Sequence, residues 1–196
     1  YSAYYNSTLW VSVGSGTTNS LAYSFNGTQW TGLGLLFSTA GYAVTYDFVN
    51  SKWIAGGEGS NSIGFSSDGT NWDLASSSVY INKTKCLATN TISVGPVAVS
   101  FNTLAYSIND GSTWTGLGYS IFKNAVNGMA YGNSIYVATA DDLTNTLGYS
   151  TNGTQWIGLG KTIFSTMGNS SIYGNVNNYI SNTLAYSNTD GTTWAG

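Results

Sequence analysis

The chain of 196 residues is 42% hydrophobic but only 7% charged, against about 25% charged residues in a typical soluble protein. Its net charge is −3, with five lysines, no arginine and no histidine. This balance argues against nucleic acid as a partner, because binding to phosphates needs clustered cations. No apolar run approaches the roughly 20 residues of a membrane-spanning helix, so we expect no membrane insertion.

The first two predicted units cover residues 1–40 and 41–84. The first opens with "YSAYYN" at Tyr1 rather than at a methionine, which suggests a processed product or a piece of a longer chain or assembly. It continues with "LWVSVGSG" and then "LAYSFNGTQWTGLG" from Leu21, which the second unit echoes as "IGFSSDGTNWDLA" from Ile63. Asn or Asp before Gly is typical of a tight turn between two strands.

The third and fourth predicted units cover residues 85–126 and 127–168. The third has an irregular first half with Pro96, the only proline, and Cys86, the only cysteine, which we interpret as a core residue. The fourth divides clearly into "NGMAYGN", "SIYVATA", the loop "DDLTN", "TLGYS", the turn "TNG" and "TQWIGLG". These short, alternating segments predict four antiparallel strands per unit.

The fifth predicted unit, residues 169–196, is shorter and ends in "LAYSNTDGTTWAG" from Leu184. The repeated tryptophans are separated by 42, 42, 42 and 38 residues, as are the repeated glycines. A period near 42 suits a blade of four strands, and no apolar positions recur at helical spacing. We therefore predict a single all-β domain, a five-bladed β-propeller over residues 1–196.

The repeated core Ser-x-(Asn/Asp)-Gly-x-x-Trp resembles the Asp-box, or BNR, repeat of sialidases and other β-propellers, whose form is Ser-x-Asp-x-Gly-x-Thr-Trp. The third copy keeps that spacing with Asn109 in the Asp position, and the fifth places Thr189 there. The other three copies are one residue shorter, and among them only Asp68 supplies an acid. The resemblance implies a structural hairpin whose polar side chain closes the turn and whose tryptophan is buried between sheets. The structural residues that it identifies are Gly27, Gly69, Gly111, Gly153, Gly191, Trp30, Trp72, Trp114, Trp156 and Trp194.

The resemblance to sialidases also raises a catalytic hypothesis, which the residues argue against. Sialidases bind the substrate carboxylate with three arginines, and this chain has none; lysine does not reproduce the planar guanidinium fork. Glu58 is the only glutamate, and without histidine there is no imidazole base. We therefore predict no enzymatic activity and no cofactor, and keep a degenerate glycoside hydrolase only as a remote alternative.

Candidate ligand-binding residues lie in the loops between the second and third strands, which differ from unit to unit. Variable loops on a rigid scaffold often carry function, and this selects Asn19, Glu58, Asn61, Asp141 and Asn145. Asp141 and Asp142 form the only acidic pair, which we interpret as a solvated loop in preference to a calcium site. Glycosylation sequons with no role in the repeated turn occur at Asn6, Asn82 and Asn169.

Three functions follow from these expectations. The leading hypothesis is a non-enzymatic binding or structural module, plausibly a lectin-like one, because tyrosine, tryptophan, amide and hydroxyl groups suit glycans. The second is a building block of a coat, fibre or filament whose partners are other protein copies, and the third is the degenerate hydrolase. The full unit also loosely resembles repeats in proteins of giant DNA viruses and bacterial surfaces, which implies a virion or extracellular setting.

Overall fold

The computed structural model describes residues 1–75, 84–89, 97–99, 103–119 and 121–171. These residues form sixteen strands in four antiparallel sheets of four strands each. The first sheet contains β1 (Ser2–Tyr5), β2 (Trp10–Val13), β3 (Leu21–Ser24) and β4 (Thr31–Gly32), and the second contains β5 (Ala40–Asp47), β6 (Lys52–Glu58), β7 (Ile63–Ser66) and β8 (Asp73–Leu74). The third contains β9 (Cys86–Ala88), β10 (Val97–Val99), β11 (Ala105–Tyr106) and β12 (Thr115–Gly116), and the fourth contains β13 (Ala125–Gly132), β14 (Ile135–Asp141), β15 (Leu147–Ser150) and β16 (Ile157–Gly158).

Each sheet is a meander in which strands that follow one another in sequence are also paired. The prediction of an all-β fold with four antiparallel strands per unit is therefore confirmed. Most of the fifth predicted unit, residues 172–196, lies outside the described residues, so a count of five stays a prediction. Among the described residues, no helix is long and apolar enough to cross a bilayer.

The hydrophobic core is divided into three clusters that lie between consecutive sheets. Between the first and second sheets Val11 and Leu21 pack against Trp53, and between the second and third Ile54 packs with Leu87. The third cluster joins Leu104 and its neighbours to the fourth sheet. Burial of one such aliphatic side chain contributes about 1.5–3 kcal/mol, so the sheets are held together face to face.

Backbone hydrogen bonds repeat at the junctions between sheets. The N–H of Gly41 donates to the carbonyl of Gly14 (2.8 Å), and the N–H of Thr84 donates to that of Gly57 (2.8 Å). After the fourth sheet, the N–H of Gly168 donates to the carbonyl of Ala140 (2.8 Å). The hydrogen bond that follows the fourth sheet is therefore equivalent to the one at the start of the second sheet.

The first strands of consecutive sheets contact one another, β1 with β5, β5 with β9, and β9 with β13. These first strands therefore lie side by side at the inner edge of the array formed by the four sheets. Since each sheet is a meander, the turns after its first and third strands share one end, here called the turn end. The loops after the second strand and the connections between sheets share the other, here called the loop end.

Candidate binding site at the loop end

The repeated Asp-box-like stretch forms the turn after the third strand of each described sheet. In the first sheet the Ser24 hydroxyl accepts the N–H of Gly27 (2.9 Å), and Oδ1 of Asn26 accepts the N–H of Thr28 (3.0 Å). The indole N–H of Trp30 donates back to the carbonyl of Gly27 (3.1 Å). The same three bonds recur in the other sheets around Gly69, Gly111 and Gly153.

The glycine of this turn is required by its backbone conformation and by its surroundings. Gly69 has a φ of 80°, which L side chains rarely adopt. A Cβ atom there would also lie 2.5 Å from Leu9 and 2.9 Å from the indole nitrogen of Trp53. The turn is therefore built to approach the neighbouring sheet closely.

The prediction that the repeated tryptophans are buried is wrong for Trp30, whose side chain is 43% exposed. Trp114 and Trp156 are 3% and 8% exposed, and Trp72 is half-buried. Each of these three packs into the cluster shared with the preceding sheet. Trp30 is exposed because no sheet precedes the first one among the described residues, whereas Trp194 lies outside them.

Two of the predicted ligand-binding asparagines have structural partners. Oδ1 of Asn19 accepts the N–H of Gly34 (2.8 Å), and Oδ1 of Asn145 accepts that of Gly160 (3.0 Å). Asn61 holds the equivalent position in the second sheet and is half-buried. All three precede a buried Ser or Thr and then Leu or Ile, a repeated pattern that the focus on variable loops missed. Asn19 and Asn145 thus have a structural role, and ligand binding by the three asparagines stays a prediction.

The interpretation of the acidic pair as a solvated loop is wrong for Asp142, which is 1% exposed, although Asp141 is exposed. The Asp142 carboxylate accepts four backbone N–H groups, from Lys123, Asn124, Thr144 and Asn145, at 2.6–3.1 Å. It therefore joins the connection before the fourth sheet to the loop after β14. Within the described ranges, no three Cys, Asp or Glu side chains are grouped closely enough to hold a metal ion.

Hydrogen bonds lower the pKa of two carboxyl groups. Burial by itself raises the pKa of Asp142, but its four backbone donors outweigh burial, and that pKa lies below the usual range. The backbone and carboxamide of Asn71, with the N–H of Thr70, hold the pKa of the Asp68 carboxyl well below its usual range. Burial raises the pKa of the Cys86 thiol to about 12, against a smaller opposing effect of Lys85, so this thiol is protonated at neutral pH.

We expect the free energy of unfolding to change little between about pH 5.5 and 8.5, because the chain has no histidine. Since Asp68 and Asp142 have lowered folded-state pKa values, their stabilising contribution is complete above the unfolded value of about 4. This contribution is lost as the pH falls through the unfolded-state pKa toward the lower folded-state pKa values. Urea titrations across this range test the prediction, and a change above about 1.5 kcal/mol between pH 5.5 and 8.5 would contradict it.

The fifth predicted ligand residue, Glu58, lies at the loop end beside Tyr42. Its Oε2 accepts the hydroxyl of Tyr42 (2.7 Å). The ring of Tyr42 lies 5.7 Å from that of Tyr1, with an interplanar angle of 30°, so aromatic groups of the first two sheets meet here. Asn19 lies in the loop after β2 of the first sheet, and Asp141 and Asn145 lie at the end of β14 and in the loop after it. The predicted residues therefore do not come from a single sheet.

Three residues that the sequence did not single out occupy matched positions near the starts of the second to fourth sheets: Tyr42, Lys85 and Asn127, here called the inner ring. Tyr42 and Asn127 are the extra residues of β-bulges in β5 and β13. A β-bulge changes the direction in which the side chain of the extra residue points. The ammonium of Lys85 donates to Oδ1 of Asn127 (3.1 Å), joining the third and fourth sheets. Their recurrence every 42 or 43 residues was the only signal in the sequence.

The inner ring and Glu58 provide hydrogen-bond donors and acceptors at the loop end, on or beside the first strands of the sheets. All four are half-buried, and Tyr1 beside them is exposed. Asn127 also donates through Nδ2 to the carbonyl of Gly168 (3.2 Å), which fixes its carboxamide. This set of two neutral and two charged polar side chains can bind and orient a polar ligand.

The predicted glycosylation sites differ in their surroundings. Asn6 lies in the turn after β1, where its Oδ1 accepts the N–H groups of Thr8 (3.1 Å) and Leu9 (2.9 Å). Asn169 is exposed, and Asn82 lies outside the described residues. Glycosylation of these residues stays a prediction.

Comparison with known proteins identifies the fold but not a family. No protein-family model matches the chain, and no curated protein is significantly similar to it. Among solved structures, YCF48 bound to D1 peptide is 16% identical with a TM-score of 0.55, covering 79% of this chain and 52% of that one. A nidogen/laminin complex is 12% identical with a TM-score of 0.60, over 83% and 65% of the two chains.

The WD40 β-propeller domain of Doa1 is 14% identical with a TM-score of 0.54, over 77% of this chain and 50% of that one. The chain therefore spans between half and two-thirds of the length of these structures. They are β-propellers, and the likeness shows that the four described sheets are propeller blades. The predicted β-propeller fold is confirmed on this basis.

Proposed function

We propose that this chain is a non-enzymatic binding module, a five-bladed β-propeller whose ligand contacts the inner ring. The observation that carries this proposal is that Tyr42 and Asn127 lie on β-bulges of the inner strands, while Lys85 holds the matched position just before β9. The same irregularity occurs at the inner edge of two sheets, and β-bulges are over-represented next to functional sites.

Five blades are supported by the path of the chain after the fourth sheet. The Gly168 bond to Ala140 matches the bond that starts the second sheet, and a Cβ on Gly128 would lie 2.5 Å from the Cα of Ser170. Residues 169–171 thus begin to pack on β13 as a further first strand would. Leu184–Trp194 then supply a fifth copy of the repeat.

A non-enzymatic role is supported by the state of three of the described carboxylates. Glu58 accepts the Tyr42 hydroxyl, Asp142 is saturated by backbone donors, and Asp68 closes its own turn. A glycosidase needs one free carboxylate and one carboxyl group with a raised pKa. The lowered pKa values of Asp68 and Asp142 are the opposite of what a general acid requires.

Glycans are the ligand class that we favour. The exposed ring of Tyr1 offers an aromatic face, and Asn127, Lys85 and Glu58 offer donors and acceptors for hydroxyl groups. Weak contacts repeated around a propeller would be strengthened by multivalency. The low charge and the loose resemblance to viral and bacterial surface repeats support a virion or extracellular setting, which antibody labelling of intact particles or cells would test.

A protein partner is the second candidate. It is favoured by the solved complexes of similar propellers, one with D1 peptide and one of nidogen with laminin. A building block that binds copies of itself is a special case of this candidate. A glycan array and a peptide-display screen on the same protein separate the classes, since sugar-competable binding supports the first and self-assembly without sugar binding supports the second.

We expect Lys85→Ala to weaken binding of the best glycan by about tenfold or more, because a hydrogen bond to a charged group contributes about 1.5–3 kcal/mol. Tyr42→Ala should also weaken binding, because it removes the hydroxyl that holds the Glu58 carboxylate in place. Isothermal titration measures the affinity. Phe25→Ala is the matched control, since Phe25 is an exposed aromatic residue at the turn end. Normal binding by both inner-ring variants, with weaker binding by the control, would reject the site.

A further inference from the structure

The repeated turn contains a chemically labile pair of residues in two of the described sheets. The sequence has three Asn-Gly pairs, two in the turns of the first and fourth sheets and one in β13: Asn26-Gly27, Asn152-Gly153 and Asn127-Gly128. Asn-Gly is the pair most prone to spontaneous deamidation in a flexible chain, because glycine has no Cβ to shield its backbone nitrogen. Asn26 is exposed and Asn152 is half-buried, so water reaches both turns.

Deamidation requires the asparagine side chain to react with the next backbone amide. The glycine nitrogen attacks Cγ of the asparagine, a new C–N bond closes a succinimide ring, and the side-chain nitrogen leaves as ammonia with the proton of the glycine amide. Water then opens the ring and leaves either aspartate or isoaspartate, in which the backbone passes through the side chain. The net change is hydrolysis of one carboxamide by one water molecule.

The attacking nitrogen is held by a hydrogen bond in the turn of the first sheet. The N–H of Gly27 donates to the hydroxyl of Ser24 (2.9 Å), and Ser24 is 2% exposed. The nitrogen of a succinimide has no hydrogen, so ring closure destroys this bond and leaves the buried hydroxyl facing a group that cannot donate. The bond therefore opposes both the loss of the proton and the formation of the ring.

The carboxamide of Asn26 is held by the residues that follow the glycine. Its Oδ1 accepts the N–H groups of Thr28 (3.0 Å) and Gln29 (2.9 Å) and the hydroxyl of Thr28 (3.0 Å). Closing the ring turns Cγ toward the Gly27 nitrogen and moves Oδ1 off these donors. Each hydrogen bond lost on the way slows the reaction by about two- to tenfold.

The turn of the fourth sheet holds its Asn-Gly pair in the same way. The N–H of Gly153 donates to the hydroxyl of Ser150 (2.8 Å). Oδ1 of Asn152 accepts the N–H groups of Thr154 (3.0 Å) and Gln155 (2.8 Å). Two independent copies of the turn thus restrain both reacting groups of the pair.

We propose that the repeated turn protects Asn26 and Asn152 from deamidation, by holding the glycine N–H on the serine hydroxyl and the carboxamide on the two following N–H groups. This inference is independent of the proposed binding function. Asp68 occupies the same position in the second sheet and accepts the same backbone bonds, so an aspartate product fits the turn. An isoaspartate product does not, because it adds an atom to the backbone, and the protection therefore keeps the turn intact.

Peptide mapping by mass spectrometry, with isoaspartate and aspartate resolved, tests the protection after long incubation in mildly alkaline buffer. The protein is produced without glycosylation, because both pairs precede a threonine and form sequons. In the folded chain, Asn26 and Asn152 should deamidate at least about tenfold more slowly than in the same chain unfolded in urea. Ser24→Ala should raise the rate at Asn26 severalfold and leave Asn152 unchanged, and Ser150→Ala should have the converse effect.

Equal rates in the folded and the unfolded chain would overturn the proposal, as would an unchanged rate at Asn26 in folded Ser24→Ala. Ser24→Thr keeps a hydroxyl at this position and should restore the protection that Ser24→Ala removes. If circular dichroism shows that Ser24→Ala is unfolded, Thr28→Ala replaces it, since this change removes only an exposed hydroxyl bond to Asn26. Faster deamidation at Asn26 alone supports the proposal, and an unchanged rate there overturns it.

Discussion

Replacing Trp156 by alanine should lower the free energy of unfolding by about 3–5 kcal/mol, the range for large buried aromatic residues. Trp156 is 8% exposed and belongs to the cluster between the third and fourth sheets, where its ring lies 6.4 Å from that of Tyr136. The substitution also removes the indole N–H bond to the Gly153 carbonyl (3.1 Å), which holds the turn closed. Urea denaturation followed by circular dichroism measures the loss.

Trp30→Ala is the control that separates the contribution of inter-sheet packing from that of the indole hydrogen bond in the turn. Trp30 makes the same bond to the Gly27 carbonyl (3.1 Å), but it is 43% exposed. Its loss should therefore be smaller than that of Trp156 by the packing contribution, with Trp72→Ala between them. Equal losses at Trp30 and Trp156 would show that the turn bond, and not the inter-sheet packing, dominates the energetics of the repeat.

The sequence predicted the features that repeat at a fixed period. The turn glycines, the polar residue two positions after the serine and the four-strand unit all follow from local chemistry, because each turn is closed by its own side chains. Trp30 could not be distinguished from Trp156 in this way, since both end the same stretch, Asn-Gly-Thr-Gln-Trp. Their different exposure depends on which sheet precedes them, which is a tertiary property.

The candidate site was predicted only in part, because its residues do not follow from the local sequence of the repeated turn. Glu58 was selected because its loop varies, and the structure does place it at the loop end beside Tyr42. Tyr42 and Asn127 were missed because a β-bulge shifts the register of a strand by one residue, which strict alternation does not anticipate. Asn19 and Asn145 were interpreted as ligand residues because attention fell on the differing parts of their loops instead of on the recurring Asn-(Ser/Thr)-(Leu/Ile).

Asp142→Ala should destabilise the domain by about 3–4 kcal/mol, because it leaves four backbone donors without a charged acceptor in a buried setting. The N–H groups of Lys123 (2.6 Å) and Asn124 (3.1 Å) reach one carboxylate oxygen, and those of Thr144 (2.8 Å) and Asn145 (2.9 Å) reach the other. Asp142→Asn should also be costly, because its NH₂ group would face two of these donors.

Asp141→Ala is the matched control for this carboxylate, since it removes the adjacent acid at an exposed position. It should change the free energy of unfolding by no more than about 0.5 kcal/mol. Because the Asp142 carboxylate stabilises the fold only when ionised, the difference between Asp142→Ala and the unmodified chain should shrink as the pH falls below about 4. A pH-independent difference, or equal losses for Asp141→Ala and Asp142→Ala at neutral pH, would mean that the loop after β14 is not held by this charge.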